Sequence, residues 1–235
     1  MPKYHEIIEN NDVAKAVNIA RLLIEIENIV DEVATEHQVE IHKYRIEGLE
    51  DMGGNEIKVY IDLDAKCSKE ITVGGTLIKV VCKQTLPNIV EVYRRVATRL
   101  AKISVDLLRH FLTREEEYMV VFIDRSYAVL LEGSPEKVVA PSIPGTLFIC
   151  HTHPNTTRAL FSKEDIRSLL ELLSNRGLGG CIISAYSYLI IYRCGPFTLD
   201  DYFKLFKAVK EQEYIDIATL KSLGLESIEG IELAI

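Results

Sequence analysis

Two helical periodicities separated by stretches of alternation constrain this chain more than any other feature. Over residues 12–36, Val13, Val17, Ala20, Leu23, Ile24, Ile26, Ile29, Val30 and Val33 recur at the spacing of one helix face. Asn11 or Asp12 can serve as the N-cap. A second amphipathic pattern runs from Pro87 to Leu112 through Val92, Val96, Leu100, Ile103, Leu107, Leu108 and Phe111, as one helix or two. Proline suits the first turn of such a helix. Between the two, residues 39–46 and 57–63 alternate. Ile57, Val59, Ile61 and Leu63 share one side, as in a half-buried strand. Gly53-Gly54-Asn55 marks their connection, and Gly74-Gly75 predicts a hairpin between 70–73 and 77–82.

After Leu112 the pattern changes. Residues 118–123 and 127–131 read as strands around an Asp124-Arg125-Ser126 turn. Residues 147–150 form a short apolar strand that ends at a histidine-rich turn. Residues 166–173 read as helix, 181–192 as strand and 199–220 as helix. No internal repeat or low-complexity tract is present. A length of 235 residues fits one large domain or two small ones. We therefore expect an α/β chain in two parts. An α+β N-terminal module of unknown role spans 1–86, and a mixed α/β domain, a central sheet flanked by helices, spans 87–235.

Composition narrows the function classes. With 48% hydrophobic residues the chain can bury a real core. A net charge of −8 and a pI near 5.4 argue against general nucleic-acid binding and give no case for docking on anionic lipid. The N-terminal residues lack the basic-then-apolar order of a signal peptide, and no run approaches the roughly 18 apolar residues of a membrane span. A cytoplasmic location is the expectation. Cys67, Cys82, Cys150, Cys181 and Cys194 are scattered, odd in number and without a CxxC pair, so buried reduced thiols are expected. Only eight Asn and three Gln, no Trp and many Ile, Val, Lys and Glu lean toward heat-adapted proteins. Homo-oligomerisation is left open.

One segment carries chemistry: Cys150-His151-Thr152-His153-Pro154, followed by Ser162-Lys163-Glu164-Asp165. Histidines at i and i+2 in extended chain point to the same side, so both imidazoles can meet one ion. Asp165, from the following helix, would add an oxygen ligand. Two nitrogens and one carboxylate leave a tetrahedral position open for water, the layout of a catalytic zinc. Bound zinc lowers the pKa of that water to about 7, and a nearby Glu can take its proton.

His151-Thr152-His153-Pro154 with Ser162 and Asp165 resembles the JAMM signature of the MPN-domain zinc metalloproteases. That family also carries a Glu at the start of an upstream strand, best matched by Glu117 in Glu117-Tyr118-Met119-Val120-Val121-Phe122. The resemblance covers about residues 103–192. It implies an MPN-like domain in which His151, His153 and Asp165 hold Zn2+, Glu117 is the general base and Ser162 steadies the oxyanion. It also implies cleavage of amide or isopeptide bonds, with a ubiquitin-like protein or its conjugates as partner. The loop from Pro154 to Phe161 is one residue longer than the family's, the gap from Glu117 to His151 is short, and Glu115 and Glu116 also offer carboxylates.

Plainer readings stand beside these. Ser162 and Asp165 ahead of an apolar helix also form a capping box. His5, His37, His42 and His110 lack ligand spacing and read as surface or packing residues. Arg158 lies in the loop near the proposed metal, and Asp200 and Asp201 read as helix-start residues. A non-catalytic MPN-type scaffold is the alternative to an enzyme. A barrel amidohydrolase also uses His-x-His, but only 84 residues follow His151, too few in a chain without repeated strand–helix units to build a barrel of about 250.

Overall fold

The computed structural model describes residues 3–41, 43–49, 55–135, 137–139, 143–154 and 156–235, without the side chains of Tyr4 and His5. The expected turn at Gly53-Gly54 and the reading of His42 fall outside these residues. In chain order the first half runs β1 (Lys3–Ile8), α1 (Asn11–His37), β2 (Tyr44–Glu47), β3 (Glu56–Ile61), β4 (Ser68–Val73), β5 (Thr76–Cys82) and α2 (Ile89–Leu108). The second half runs β6 (Tyr118–Ile123), β7 (Tyr127–Glu132), β8 (Thr146–Thr152), β9 (Phe161–Ser162), α3 (Lys163–Ser174), β10 (Gly179–Ile183) and β11 (Ser187–Arg193). It closes with α4 (Leu199–Glu211), β12 (Tyr214–Ile215), α5 (Ile217–Ser222) and β13 (Ile228–Ala234). The result is a mixed α/β structure with five α-helices and several sheets among the described residues. No helix among them is long and apolar enough to cross a membrane.

A seven-stranded sheet ordered β1-β7-β6-β8-β10-β11-β13 organises the fold. Only β8 and β10 run parallel within it. Every residue of β6 is buried, which explains why residues 118–123 read as an unbroken apolar run. Val120 and Phe122 face one core with Phe148, Cys150, Ile190 and the apolar sides of α1 and α2. Met119, Val121 and Ile123 face the other with α3, α4, Ile182 and Ile191. A four-stranded sheet, β2-β3-β5-β4, adds Tyr44, Ile57, Val59 and Ile78 to the first core. The large sheet, formed mostly by chain after Pro87, takes its edge strand β1 from before it, through pairing with β7.

Local chemistry sets the element ends. Asn10, one residue ahead of the expected cap, accepts from the backbone N–H groups of Asp12 and Val13 to start α1. Asn88 makes no such cap for α2; its side chain bonds both backbone groups of Ile46 at 2.8 Å instead. A cap contributes about 1 kcal/mol, whereas each large apolar side chain buried contributes about 1.5–3 kcal/mol. With Val92, Tyr93, Val96, Leu100 and Leu108 buried, packing holds α2. The β4–β5 hairpin forms as expected, with Gly74 and Gly75 at φ 55° and 85°, a left-handed pair that suits a two-residue turn.

Several expectations are corrected. The strand expected over 39–46 is only β2, because Gln38 turns left-handed at the end of α1. The α2 helix stops at Leu108 and a 3-10 turn covers Arg109–Phe111. Residues 181–192 are two strands, β10 and β11, reversed at a turn in which Ser184 N donates to Ser187 O and Ser187 N to Ser184 Oγ. The helix expected over 199–220 breaks after Glu211; β12 follows, and Asp216 caps the separate α5 through Thr219 N.

The expected reduced thiols are also corrected. Cys67–Cys82 and Cys150–Cys181 are disulfides, and Cys194 is free and buried. Cysteines scattered in sequence meet through the ladders. Cys150 on β8 lies directly opposite Cys181 on β10, with Cα atoms 4.5 Å apart. Cys82 ends β5, and its backbone N–H donates to Cys67 O just before β4.

Candidate metal centre

The central strand β8, held between β6 and β10, delivers the histidines. His151 stands opposite Met119 on one side and Ile182 on the other. His153 lies just beyond the strand, but its N–H still donates to Ile183 O at 2.8 Å, so the chain stays extended through both residues. Extended chain puts i and i+2 on one side. The two Nε2 atoms lie 3.1 Å apart, and His151 is 3% exposed.

Asp165 reaches them from the first turn of α3. Its Oδ1 lies 3.1 Å from His151 Nε2 and its Oδ2 3.5 Å from His153 Nε2. The same Oδ2 accepts from Ser162 N at 2.7 Å, while Ser162 Oγ accepts from Asp165 N at 3.2 Å. The capping box forms, and Oδ1 of the same carboxylate stays outside it, 3.1 Å from His151 Nε2. The extra loop residue does not keep Asp165 away. Burial would raise the Asp165 carboxyl, but the two imidazoles, by charge and hydrogen bonding, hold it well below its ordinary value.

Glu117 sits at the entry to β6. Tyr118 N donates to the buried Thr152 Oγ1 at 2.9 Å, which fixes the start of β6 beside the histidine turn. Glu117 N bonds Ser134 O, and Gly133 N bonds Glu117 O, which extends the β6–β7 ladder over this residue. One Glu117 carboxylate oxygen and a ring nitrogen from each of His151 and His153 all lie within 4.8 Å of one another. Oε2 accepts from Val138 N at 2.9 Å. Burial pushes the carboxyl up to about 7, against the opposing pull of His153 and that hydrogen bond. Glu115 is exposed and Glu116 half-buried; neither belongs to this cluster.

The donor set fits zinc. Ligand atoms about 2.0–2.2 Å from a tetrahedral ion lie about 3.3 Å from each other, close to the 3.1 Å edges from His151 Nε2 to His153 Nε2 and to Asp165 Oδ1. Three lone-pair-bearing atoms converging this closely repel one another unless a proton or cation lies between them. His151 Nδ1 is buried with no hydrogen-bond partner among the described residues, so this ring's orientation comes from strand packing. Ser162 Oγ accepts a hydrogen bond in the cap, and its own proton can be donated.

The remaining sequence candidates scatter. Arg158 is exposed in the loop before Ser162, and His110 is exposed. Asp200 and Asp201 open α4 as expected, capped by Thr198. Asp201 does more: fully buried, it accepts from Glu226 N, Ser227 N and Ser227 Oγ, tying α4 to the approach to β13. A cavity of about 550 Å³ lined by Lys43, Asn88, Arg94 and Cys194 shares no residue with the candidate centre. Sequence reasoning missed Thr152 and Val138, which position Glu117. Thr152 was visible between the two histidines, but its hydrogen bond depends on the β6–β8 register. No family model, curated protein or solved structure matches the chain.

Proposed function

We propose that this chain is a zinc metallopeptidase of the JAMM type that hydrolyses amide or isopeptide bonds, with conjugates of a ubiquitin-like protein as the substrate class. One observation carries the reading: His151 Nε2 lies 3.1 Å from both His153 Nε2 and Asp165 Oδ1, Asp165 Oδ2 lies 3.5 Å from His153 Nε2, and the half-buried Glu117 carboxylate stands beside the histidines. The seven-stranded sheet between two helical layers supports taking residues 87–235 as MPN-like.

Zinc at this centre would supply Lewis acidity and a water acidic enough to ionise near neutral pH. The chain's own groups do the rest. Glu117 takes a proton from the attacking water and passes it to the leaving amine. Ser162 donates its hydroxyl proton to the carbonyl oxygen as negative charge develops there. Asp165, aimed by the α3 cap, holds its geometry without reorganising. Two disulfides suit a cytoplasmic setting in heat-adapted cells, where intracellular disulfides persist.

The test is incubation of zinc-loaded protein with ubiquitin-like conjugates and peptide amides, with a chelator and Glu117→Gln as controls. Cleavage abolished by both supports the enzyme. Protein that binds no zinc, with any cleavage unaffected by Glu117→Gln, would favour the non-catalytic MPN-type scaffold.

A further inference from the structure

Four strands edge the two larger sheets, and three of them are blunted. The register of β1 shifts between Tyr4 and Glu6, and Lys3 and Glu6 are exposed on it. In the four-residue β2, Asn88 takes both outward backbone groups of Ile46. The edge strand β4 carries Lys69 and Glu70. Short strands, irregular register and charges keep a sheet edge from pairing. The fourth edge, β13, has seven residues, an unshifted register against β11 and neither Pro nor Lys. Cys194 N donates to Ser227 O at one end of that ladder, and Ile235 N to Tyr186 O at the other. Bonded pairs alternate along an antiparallel ladder, so Glu229, Ile231 and Leu233 turn their backbone groups to β11. Gly230, Glu232 and Ala234 turn theirs outward, where no strand meets them among the described residues. A groove of about 660 Å³ lies along this edge, lined by Arg94, Leu220, Lys221, Leu225, Gly230 and Glu232.

The charges along this edge match a second copy of it. Lys221, on α5, is exposed and makes no ion pair among the described residues. Glu232 is exposed as well, and Ser187 Oγ donates to its Oε1, which leaves Oε2. We propose that two copies of this chain dimerise through β13, antiparallel about a two-fold axis at Ile231, so that their seven-stranded sheets join into one. That axis sets Gly230 of each copy opposite Glu232 of the other, and Ile231 opposite Ile231. Directly opposite residues project from one face. A Cβ at Gly230 would meet Leu220 and Ile217 of α5, so Glu232 of the second copy enters on the α5 side of the groove, where Lys221 stands. The two-fold repeats this contact, which makes the patch complementary to itself. On the other face the two Ile231 side chains form an apolar, β-branched pair. An axis at Glu232 would instead set two like charges against each other. None of the residues of the candidate metal centre takes part.

Sedimentation velocity of the full chain tests the pairing. Wild-type protein should sediment as a dimer at micromolar concentration. Glu232→Pro removes an outward N–H that the β11 ladder does not use, and proline is tolerated at such an edge position. This variant should sediment as a monomer with an unchanged circular dichroism spectrum. Glu232→Lys sets a like charge beside Lys221 at both ends of the pair and should weaken dimerisation about tenfold. Adding Lys221→Glu to that variant should restore the wild-type dimer, because the pair is then reversed in sign and intact. Wild-type protein that stays monomeric, Glu232→Pro that folds and still dimerises, or a charge swap that fails to restore the dimer would each overturn the proposal.

Discussion

Glu27, midway along α1, and Arg193, at the end of β11, form an ion pair with side chains 4% and 3% exposed. Arg193 Nε also donates to Gly195 O at 3.1 Å, and the guanidinium lies 5.9 Å from the centre of the Tyr93 ring. Burial raises the Glu27 carboxyl, and Arg193 offsets this only in part. The pair joins the N-terminal helix to the sheet that carries His151. Glu27→Ala would leave a buried, uncompensated guanidinium and should cost about 3–5 kcal/mol in urea unfolding. Replacing both residues with Met should recover most of that loss. A single substitution costing under about 1 kcal/mol would show that the buried charge finds another partner.

Cys67–Cys82 and Cys150–Cys181 close loops with sequence separations of 15 and 31. Loop entropy assigns them about 3 and about 4 kcal/mol respectively. Thiol titration in denaturant should find one thiol, Cys194, without reductant and five with it. Cys150→Ala combined with Cys181→Ala should lower stability by the larger figure yet keep zinc, because the β8–β10 ladder remains. Five titratable thiols without reductant would contradict the disulfide assignment.

The sequence made some parts of this molecule legible and hid others for physical reasons. The periodic α1 and α2 faces, the Gly74-Gly75 hairpin and the apolar run of β6 are each local signals, and all four form. His151, His153 and Asp165 announced themselves through spacing, and the fold brings them together. What was hidden depends on long-range register. Glu27 looks like any polar residue on an amphipathic helix until Arg193, far away in sequence, is placed against it. The Cys150–Cys181 pair exists only because β8 and β10 run parallel in that alignment. The strands β9 and β12, two residues each, are too short to leave any period at all.

Glu117 gives two pH signatures. As a base, Glu117 should give kcat/KM an acid limb, and Glu117→Gln should cost about 100- to 10,000-fold while zinc stays bound. Stability follows the same proton. A folded-state value above the ordinary 4.5 means the protonated form is favoured on folding. That stability is fully present below about 4.5 and is lost as pH rises through about 7. Metal-free Glu117→Gln should therefore melt higher than wild type at pH 8, by on the order of 3 °C, and equally at pH 4. Equal melting at both pH values would show that the carboxyl is not shifted.

His153→Ala and Asp165→Asn separate metal binding from folding. His153→Ala should abolish zinc binding and activity. Asn at 165 can still accept from Ser162 N, so Asp165→Asn should change stability by no more than about 1 kcal/mol while weakening zinc binding strongly. Full zinc occupancy in Asp165→Asn, measured by metal analysis after dialysis, would mean that water or another carboxylate is the third ligand.

In the proposed peptidase, one zinc ion sits among His151, His153 and Asp165. A crystal of zinc-loaded protein, measured on both sides of the zinc absorption edge, tests it directly. One strong anomalous peak is expected about 2.0–2.2 Å from both Nε2 atoms and from an Asp165 carboxylate oxygen. No peak at this position, or a peak that leaves Asp165 unbound, would contradict it.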